Sequence, residues 1–457
     1  MSTINSTQKI PRKGDEGMQT STAPTAPKKA RMGAKEVEVY PISEACKTVL
    51  EKVVVDHPDL RALVIQVEGI RIKLANEKEA AVINKNQVNP YSMIVTNHTL
   101  HVVLKEVGNG SYSDVYFTEA IEFKDGSCSK KIIKSAEIPF EDEIKMLEML
   151  SPDSKASFKI DHFAGSFFAP QEKLYLGVFQ PSDCDFTKVD YHKLQSPVSF
   201  ICRQLIDVCE GIASFHRRDI ILRDIKGRNL LINYQGPGKV TDFGFLMKMA
   251  QPGTKHEALG TVLYVAPYIW DSILGQKYWN RKQASFVGGY QGKASDLFSI
   301  GRVIQFDVLR LMISQLGERY QVPVLTFVMI ESTPRKQIGK FTDEQLEAFE
   351  QSAPGRVLRD ANSSKDQDIL YIFDAPEMMY GKTVEQINKF KGKIPDAELK
   401  KMEKLAELAK ELQNPSKQGL LDFLKKQNES AGDELVQEVL KQLHKILTPA
   451  AARALIV

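Results

Sequence analysis

This chain has little of what would organise a protein outside a reducing, aqueous compartment. Its five cysteines, Cys46, Cys128, Cys184, Cys202 and Cys209, are scattered, with no CxxC pair and no paired histidines. That usage fits reduced thiols and argues against a disulfide framework or a Cys/His zinc module. No long uncharged apolar run is present. The nearest, "DLFSIGRVIQFDVLRLMISQL", carries Asp296, Arg302, Asp307 and Arg310, which makes it a buried helix and not a membrane span. The first twenty residues lack an apolar core, so no Sec-type signal peptide is expected, and the expected location is cytoplasmic (the host cytoplasm for a secreted effector). Neither sign of charge dominates: a net charge of +3 over 457 residues gives no reason to expect nucleic acid or an anionic membrane as partner. What is present is ordinary globular material. With 42% hydrophobic and 26% charged residues, the chain can build one large domain or two to three smaller ones.

Composition changes along the chain. Residues 1–35, rich in Ser, Thr, Pro and Lys, cannot bury enough apolar surface to order themselves and read as a disordered tail. Residues 36–98 read as a compact α/β extension. In it "SEACKTVLEKVVVDH" spaces Ala45, Val49, Leu50, Val53 and Val54 as a helix, and "RALVIQVEGIRIKLA" follows as strand. From 99 the pattern becomes hairpin-like, with "HTLHVVLKEVGNGSYSDVYFTEAIEF", then "CSKKIIKS" and "KLYLGVFQ". Next, "SFICRQLIDVCEGIASFHRR" places Ile201, Leu205, Val208, Ile212 and Phe215 at helical intervals. A strand-rich stretch before a helix-rich one predicts two lobes: a small one over 99–180 and a large one over 181–457. A helical insert is expected at about 310–440, including "DAELKKMEKLAELAKELQNP" with Leu399, Met402, Leu405, Leu408 and Leu412 inward.

The residues that carry chemistry lie between 108 and 242. "VGNGSYSDVY" has Gly108 and Gly110 where a phosphate could approach backbone N–H groups, and Val115 where a strand resumes. Lys134 ends a strand and could hold phosphates. Glu143, nine residues on in "FEDEIKMLEML", could orient it. The densest stretch is "LRDIKGRN", with Asp224, Lys226 and Asn229, followed by Asp242 in "DFG" thirteen residues after Asn229. A carboxylate can take or orient a hydroxyl proton, a lysine can neutralise a moving phosphoryl group, and Asn229 and Asp242 are hard oxygen donors suited to Mg²⁺.

In this order the motifs resemble the eukaryotic-type serine/threonine protein kinase family, over roughly residues 99–310. The resemblance implies an α+β, two-lobed protein-kinase-like fold, with a small β-rich lobe and a large helical lobe. To these the N-terminal extension and extra C-terminal helices are added. It implies ATP with Mg²⁺ (or Mn²⁺) as cofactors and a protein substrate. Asp224 is then the base, Lys226 the charge stabiliser, and Asn229 and Asp242 the metal ligands. Gly108, Gly110, Val115, Lys134 and Glu143 hold nucleotide. Val178 is the gatekeeper, Phe179 to Pro181 the adenine-facing backbone, and Asp185 the ribose neighbour. Arg223 implies a phosphate-receiving site, for which Thr254 is the candidate hydroxyl. Asp296 resembles the family's buried aspartate. Departures from the pattern are Leu222 for His, Ser113 for the third glycine, and Tyr268 for the Glu whose usual partner would be an arginine such as Arg453. They leave two rivals to an active protein kinase: a scaffold that binds nucleotide without turnover, and a kinase-fold enzyme acting on a small molecule or lipid.

Overall fold

The computed structural model describes residues 37–39, 44–56, 58, 72–83, 88–109, 113–148, 150, 159–161, 164–249, 259–261, 264–265, 292–324, 376–413 and 434–447. The expected tail at 1–35, Gly110, Thr254, Tyr268, Arg453 and the stretches 325–375 and 414–433 of the expected insert lie outside the described residues. The rest forms two compact units. One holds the described residues through Glu141 and those of 164–181; the other holds those from Asp142 to 161 and from Ser182 onward.

In the first unit, β1 (Val37–Val39) and β2 (Ile72–Leu74) form an antiparallel ribbon, and α1 (Glu44–Asp56) lies between them in sequence. Seven further strands make one antiparallel sheet: β3 (Ala81–Ile83), β4 (Met93–Val95), β5 (Thr99–Asn109), β6 (Ser113–Glu122), β7 (Cys128–Ala136), β8 (Gly165–Ala169) and β9 (Leu174–Phe179). Their spatial order is β3-β4-β5-β6-β7-β9-β8. The edge strand β8 is not left wholly open. Ala80 N–H donates to Phe168 O at 2.9 Å, and Phe168 N–H donates to Lys78 O at 2.8 Å, a single parallel bridge between the segment before β3 and β8. The bridge satisfies some of the edge groups of β8 that would otherwise invite pairing with another chain. Strands β3 and β4 belong to the same sheet as the strands that follow, and the described residues of 36–98 fall in one compact unit with them.

The alternation of side chains gives this sheet two apolar faces. One gathers Ala80, Val88, Ile94, Val103, Tyr116, Ile133, Ala169, Leu176 and Val178. The other packs Met93, Val95, Leu100, Val102 and Ile121 beneath Leu50 and Val53 of α1, with Ile72 and Leu74 of β2. Burying a leucine such as Leu50 contributes roughly 1.5–3 kcal/mol.

The second unit begins with α2 (Glu141–Glu148), which straddles the division. Three short strands, β10 (Cys184–Asp185), β12 (Leu230–Ile232) and β13 (Lys239–Val240), form one small sheet. A second pairs β11 (Ile220–Ile221) with β14 (Met247–Lys248). Helix α3 (Pro197–His216) starts with proline, whose fixed φ and missing N–H suit a first turn, and it is buried on most sides. A continuous helical run follows: α4 (Lys293–Arg302), a π-helical turn (Val303–Leu309) and α5 (Arg310–Tyr320). Then come α6 (Pro376–Asn388), α7 (Asp396–Gln413) and α8 (Glu434–Leu447). α8 packs on α3 and α7 on α4. Of the expected inward face of α7, Leu399, Met402, Leu405 and Leu408 are buried, whereas Leu412 is only half-buried and Gln413 takes the last core place. Gln413 earns burial by bonding: its amide donates to Gly301 O and Ala409 O, and its oxygen accepts from Arg302. Among the described residues no helix is long and apolar enough to cross a membrane.

Candidate active site

On the first unit, four sequence-distant residues fall in one row. Gly108 pairs with Val115, Val115 with Lys134, and Lys134 with Gly177 across β5, β6, β7 and β9. Directly paired residues point to the same face, so Gly108, Val115 and Lys134 are brought together as expected. Ile132 and Phe179 form the neighbouring pair on that face. The expected gatekeeper does not join them. Val178 pairs with Ile133, one residue out of phase with Lys134, and lies in the apolar cluster on the opposite face. The side chain of β9 beside the Lys134 row is Phe179. In a strand one residue inverts the face, so Val178 and Phe179 point to opposite sides of the sheet. Lys134 Nζ also lies 5.6 Å from the centroid of the buried Phe140 ring. Pro181 closes this unit at the end of the segment after β9.

The second unit holds the "LRDIKGRN" loop. Its backbone is tied from below by Asp296 on α4. Asp296 Oδ2 accepts the Leu222 N–H at 2.9 Å, Oδ1 accepts the Arg223 N–H at 3.0 Å, and His216 Nε2 lies 2.9 Å from Oδ2. Arg223 has φ +68°, a left-handed conformation that is costly for a residue with a Cβ, and this pair of bonds holds it there. Leu222, which stands where the family has His, is buried, and its backbone keeps the tie. The arginine's Nε donates to Phe245 O at 2.7 Å.

Above that base the side chains converge on Asp224, which is buried. Lys226 Nζ donates to Oδ2 at 2.6 Å. Thr261 donates to Oδ1 twice, from Oγ1 at 2.7 Å and from its N–H at 2.9 Å. Lys226 also reaches Thr261 Oγ1 at 3.2 Å, which closes the triangle. Gly260 makes the approach of Thr261 possible. Its φ is +132°, and a Cβ there would come within 2.6 Å of Arg223 O. Asn229, in a short 3₁₀ turn, donates Nδ2 to Asp224 O at 2.9 Å and to Asp224 Oδ2 at 3.2 Å. The nitrogen is thereby committed, and Oδ1 is the atom left to act as acceptor or ligand.

Asp242 comes beside Asn229 through the backbone. Thr241 N–H donates to Asn229 O at 3.0 Å, and Asp242 follows with φ +63°. Phe243 after it is buried, its ring centroid 5.5 Å from that of Phe215. An amide oxygen and a carboxylate are hard donors of the kind that suits a divalent cation whose other ligands are phosphate oxygens and water. Among the described residues no group of three or more His, Cys, Asp or Glu converges to hold a metal without such help. Glu143 belongs to this unit, where a Cβ on Gly244 would lie 3.4 Å from its Oε1. The carboxylate of Asp185, expected near a ribose, is taken up locally: it accepts from Thr187 N–H at 2.9 Å and pairs with Lys188 at 3.0 Å. His216, Gly227, Tyr264 and Asp307 were not singled out by sequence. Only contacts across 35 or more residues reveal them.

Comparison with known proteins gives the same reading. Residues 101–321 match the protein kinase domain model. Among curated proteins the chain is similar to the serine/threonine-protein kinase STY46 of Arabidopsis thaliana, 25% identical over 53% of this chain and 38% of that protein. It is similar to the cyclin-dependent kinase B2-1 of Oryza sativa subsp. japonica, 31% identical over 40% of this chain and 58% of that protein. It is also similar to the serine/threonine-protein kinase PrkC of Bacillus subtilis, 23% identical over 69% of this chain and 48% of that protein. The chain thus spans less than two thirds of the length of each of these relatives. Motif order, the Asp224 cluster and these likenesses converge on one reading: residues 101–321, just under half of the chain, match a protein kinase domain and are similar to serine/threonine protein kinases.

Proposed function

We propose that this protein transfers the γ-phosphoryl group of Mg·ATP to serine and threonine hydroxyls of protein substrates, itself included. The observation that carries the proposal is the Asp224 cluster: a carboxylate fixed by Lys226, Thr261 and Asn229 at hydrogen-bond distance, with Asp242 anchored next to Asn229. The acceptor oxygen attacks the γ-phosphorus as the bond to the β,γ-bridging oxygen breaks. ADP leaves with that electron pair, and the hydroxyl proton passes to Asp224. Lys226 supplies positive charge beside the carboxylate and the group in transfer. Lys134 would hold phosphate oxygens, with Val115 and Phe179 as apolar surface on the same face. Asn229 Oδ1 and the Asp242 carboxylate would hold Mg²⁺, which when bound neutralises phosphate charge. Because the chemistry is positioning and charge neutralisation, fixed geometry around Asp224 matters more than reactivity of any one group.

The test is turnover of γ-labelled ATP with Mg²⁺ and dephosphorylated casein, wild type beside Asp224→Ala and Asp242→Ala. Label on casein or on the chain that both variants abolish supports the reading, and mapping the labelled residue tests Thr254 as autophosphorylation site. ATP raising the melting temperature with no label transferred would replace the enzyme reading with a nucleotide-binding scaffold.

A further inference from the structure

Asp307 lies in the π-helical turn Val303–Leu309, almost fully buried, and takes no part in the chemistry just outlined. Its two oxygens serve two different stretches of chain. Oδ2 accepts the Gly227 N–H at 3.1 Å, and Oδ1 accepts the Tyr264 hydroxyl at 3.0 Å. Those stretches are the two that meet at Asp224. Gly227 sits between Lys226 and Asn229, and Tyr264 follows Thr261, with its N–H on Thr261 O at 2.8 Å. Ser299 Oγ donates to Tyr264 O at 2.9 Å, which fastens the same turn to α4.

Three features of the sequence make this bridge possible. Gly227 offers a backbone N–H and no side chain, and a Cβ there would stand 2.5 Å from Asp307 Oδ2 and 2.8 Å from Thr187 Cγ2. Tyr264 supplies a hydroxyl that reaches the buried acid. The π turn adds a residue to the helical run, and one residue rotates a helix by about 100°. Asp307 would point elsewhere without that extra residue. A buried carboxylate needs such partners. Burial pushes its carboxyl up to about 6; Tyr264, Gly227 and the Arg310 charge oppose the rise, and the Asp185 charge adds to it.

We propose that Asp307 is a positioning residue that clamps Gly227 to Tyr264 and so holds Asp224 and Thr261 in register for phosphoryl transfer. The proposal rests on the kinase reading above for its kinetic consequences and on geometry alone for its structural ones.

Both are tested on the full chain with Asp307→Ala, Asp307→Asn and Tyr264→Phe. Turnover is measured on casein and hydrogen exchange over residues 224–230. Asp307→Ala is expected to lower kcat at least about tenfold, leave KM for ATP within about twofold, and raise amide exchange at 224–230 about tenfold. Asp307→Asn keeps an oxygen for Gly227 and an N–H for the tyrosine oxygen, and should restore kcat to within about threefold of wild type. Tyr264→Phe should lower kcat while leaving exchange at Gly227 protected. Unchanged kcat in Asp307→Ala, or unchanged exchange at 224–230, overturns the clamp. If Asp307→Ala does not fold, unchanged kcat in Tyr264→Phe overturns it instead. If the wild type transfers no phosphate, the kinase reading is what fails, and exchange in the three variants still decides the clamp.

Discussion

The candidate residues of the first unit and those of the second are held by different physics. On the sheet, Gly108, Val115, Lys134 and Gly177 share a row because backbone ladders put them there. Their side chains are aligned by register, not by bonding to each other. In the loop, Asp224, Lys226, Asn229 and Thr261 are placed by direct side-chain hydrogen bonds, on a backbone that Asp296 holds in a strained conformation. A register-built surface tolerates changes of side chain but not of phase. A network-built site tolerates neither loss of a partner nor loss of its buried support.

The largest effect expected from this contrast is at the network's centre. Asp224→Ala should reduce phosphoryl transfer by about 10³-fold or more, while costing about 1–2 kcal/mol of stability for the lost bonds. Comparable turnover in the variant would mean that the network is structural and the proton goes elsewhere. Next is its support. Asp296→Ala strands two buried backbone N–H groups and the His216 ring, and should lower unfolding free energy by about 3–5 kcal/mol. Asp296→Asn keeps one acceptor oxygen and should cost about half as much. Denaturant unfolding measures both, and a loss under about 1 kcal/mol for the alanine variant would erase the distinction between the two sets.

These expectations also mark what sequence could and could not supply. Asp224, Lys226, Asn229 and Asp242 were legible because they sit within one short loop and one turn, where spacing alone implies proximity. Asp296 was legible by resemblance. The sheet was legible as strands but not in its strand order, and the bridge from the segment before β3 to β8 joins residues about 90 positions apart. The π turn and its Asp307 were hidden because nothing in "RVIQFDVLRL" interrupts an ordinary helical pattern. The faces of Val178 and Phe179 were hidden for a simpler reason. Motif order fixes which strand carries a residue, and only the pairing of Ile133 with Val178 fixes its face.

Buried titratable groups extend the comparison to pH. In the first unit His101 is buried opposite Ile94, and burial, with the Lys131 charge, lowers its pKa to about 4. The unfolded chain takes up that proton below about 6.5. Stability is therefore present above that pH and lost as pH falls toward 4. In the second unit burial pushes Asp161 up to about 6, against Lys239 and the Thr241 hydroxyl. The unfolded chain ionises that acid near 3.9. Its contribution is therefore present below that pH and lost as pH rises through 6. Each term is on the order of 2–3 kcal/mol. Acidifying from pH 7 to pH 5 should weaken the first unit and relieve the second, with separate melting transitions moving in opposite senses. His101→Gln should flatten the first shift and Asp161→Asn the second. Parallel shifts in both transitions would contradict this assignment of the two groups.

The smallest effect is the most direct test of register. Val178 and Phe179 are adjacent in sequence and equally buried, yet face opposite ways. Val178→Ala removes two methyl groups from the cluster around Ile133 and Leu176, and should cost about 1.5 kcal/mol of stability with KM for ATP unchanged. Phe179→Ala opens the face that carries Lys134, and should shift KM for ATP several-fold, about 1 kcal/mol of binding, with a smaller change in melting than its size suggests. If instead Val178→Ala alters KM and Phe179→Ala only melting, the strand pairs one residue out of phase with the ladder described. Val178 would then regain the gatekeeper place that motif order alone assigns to it.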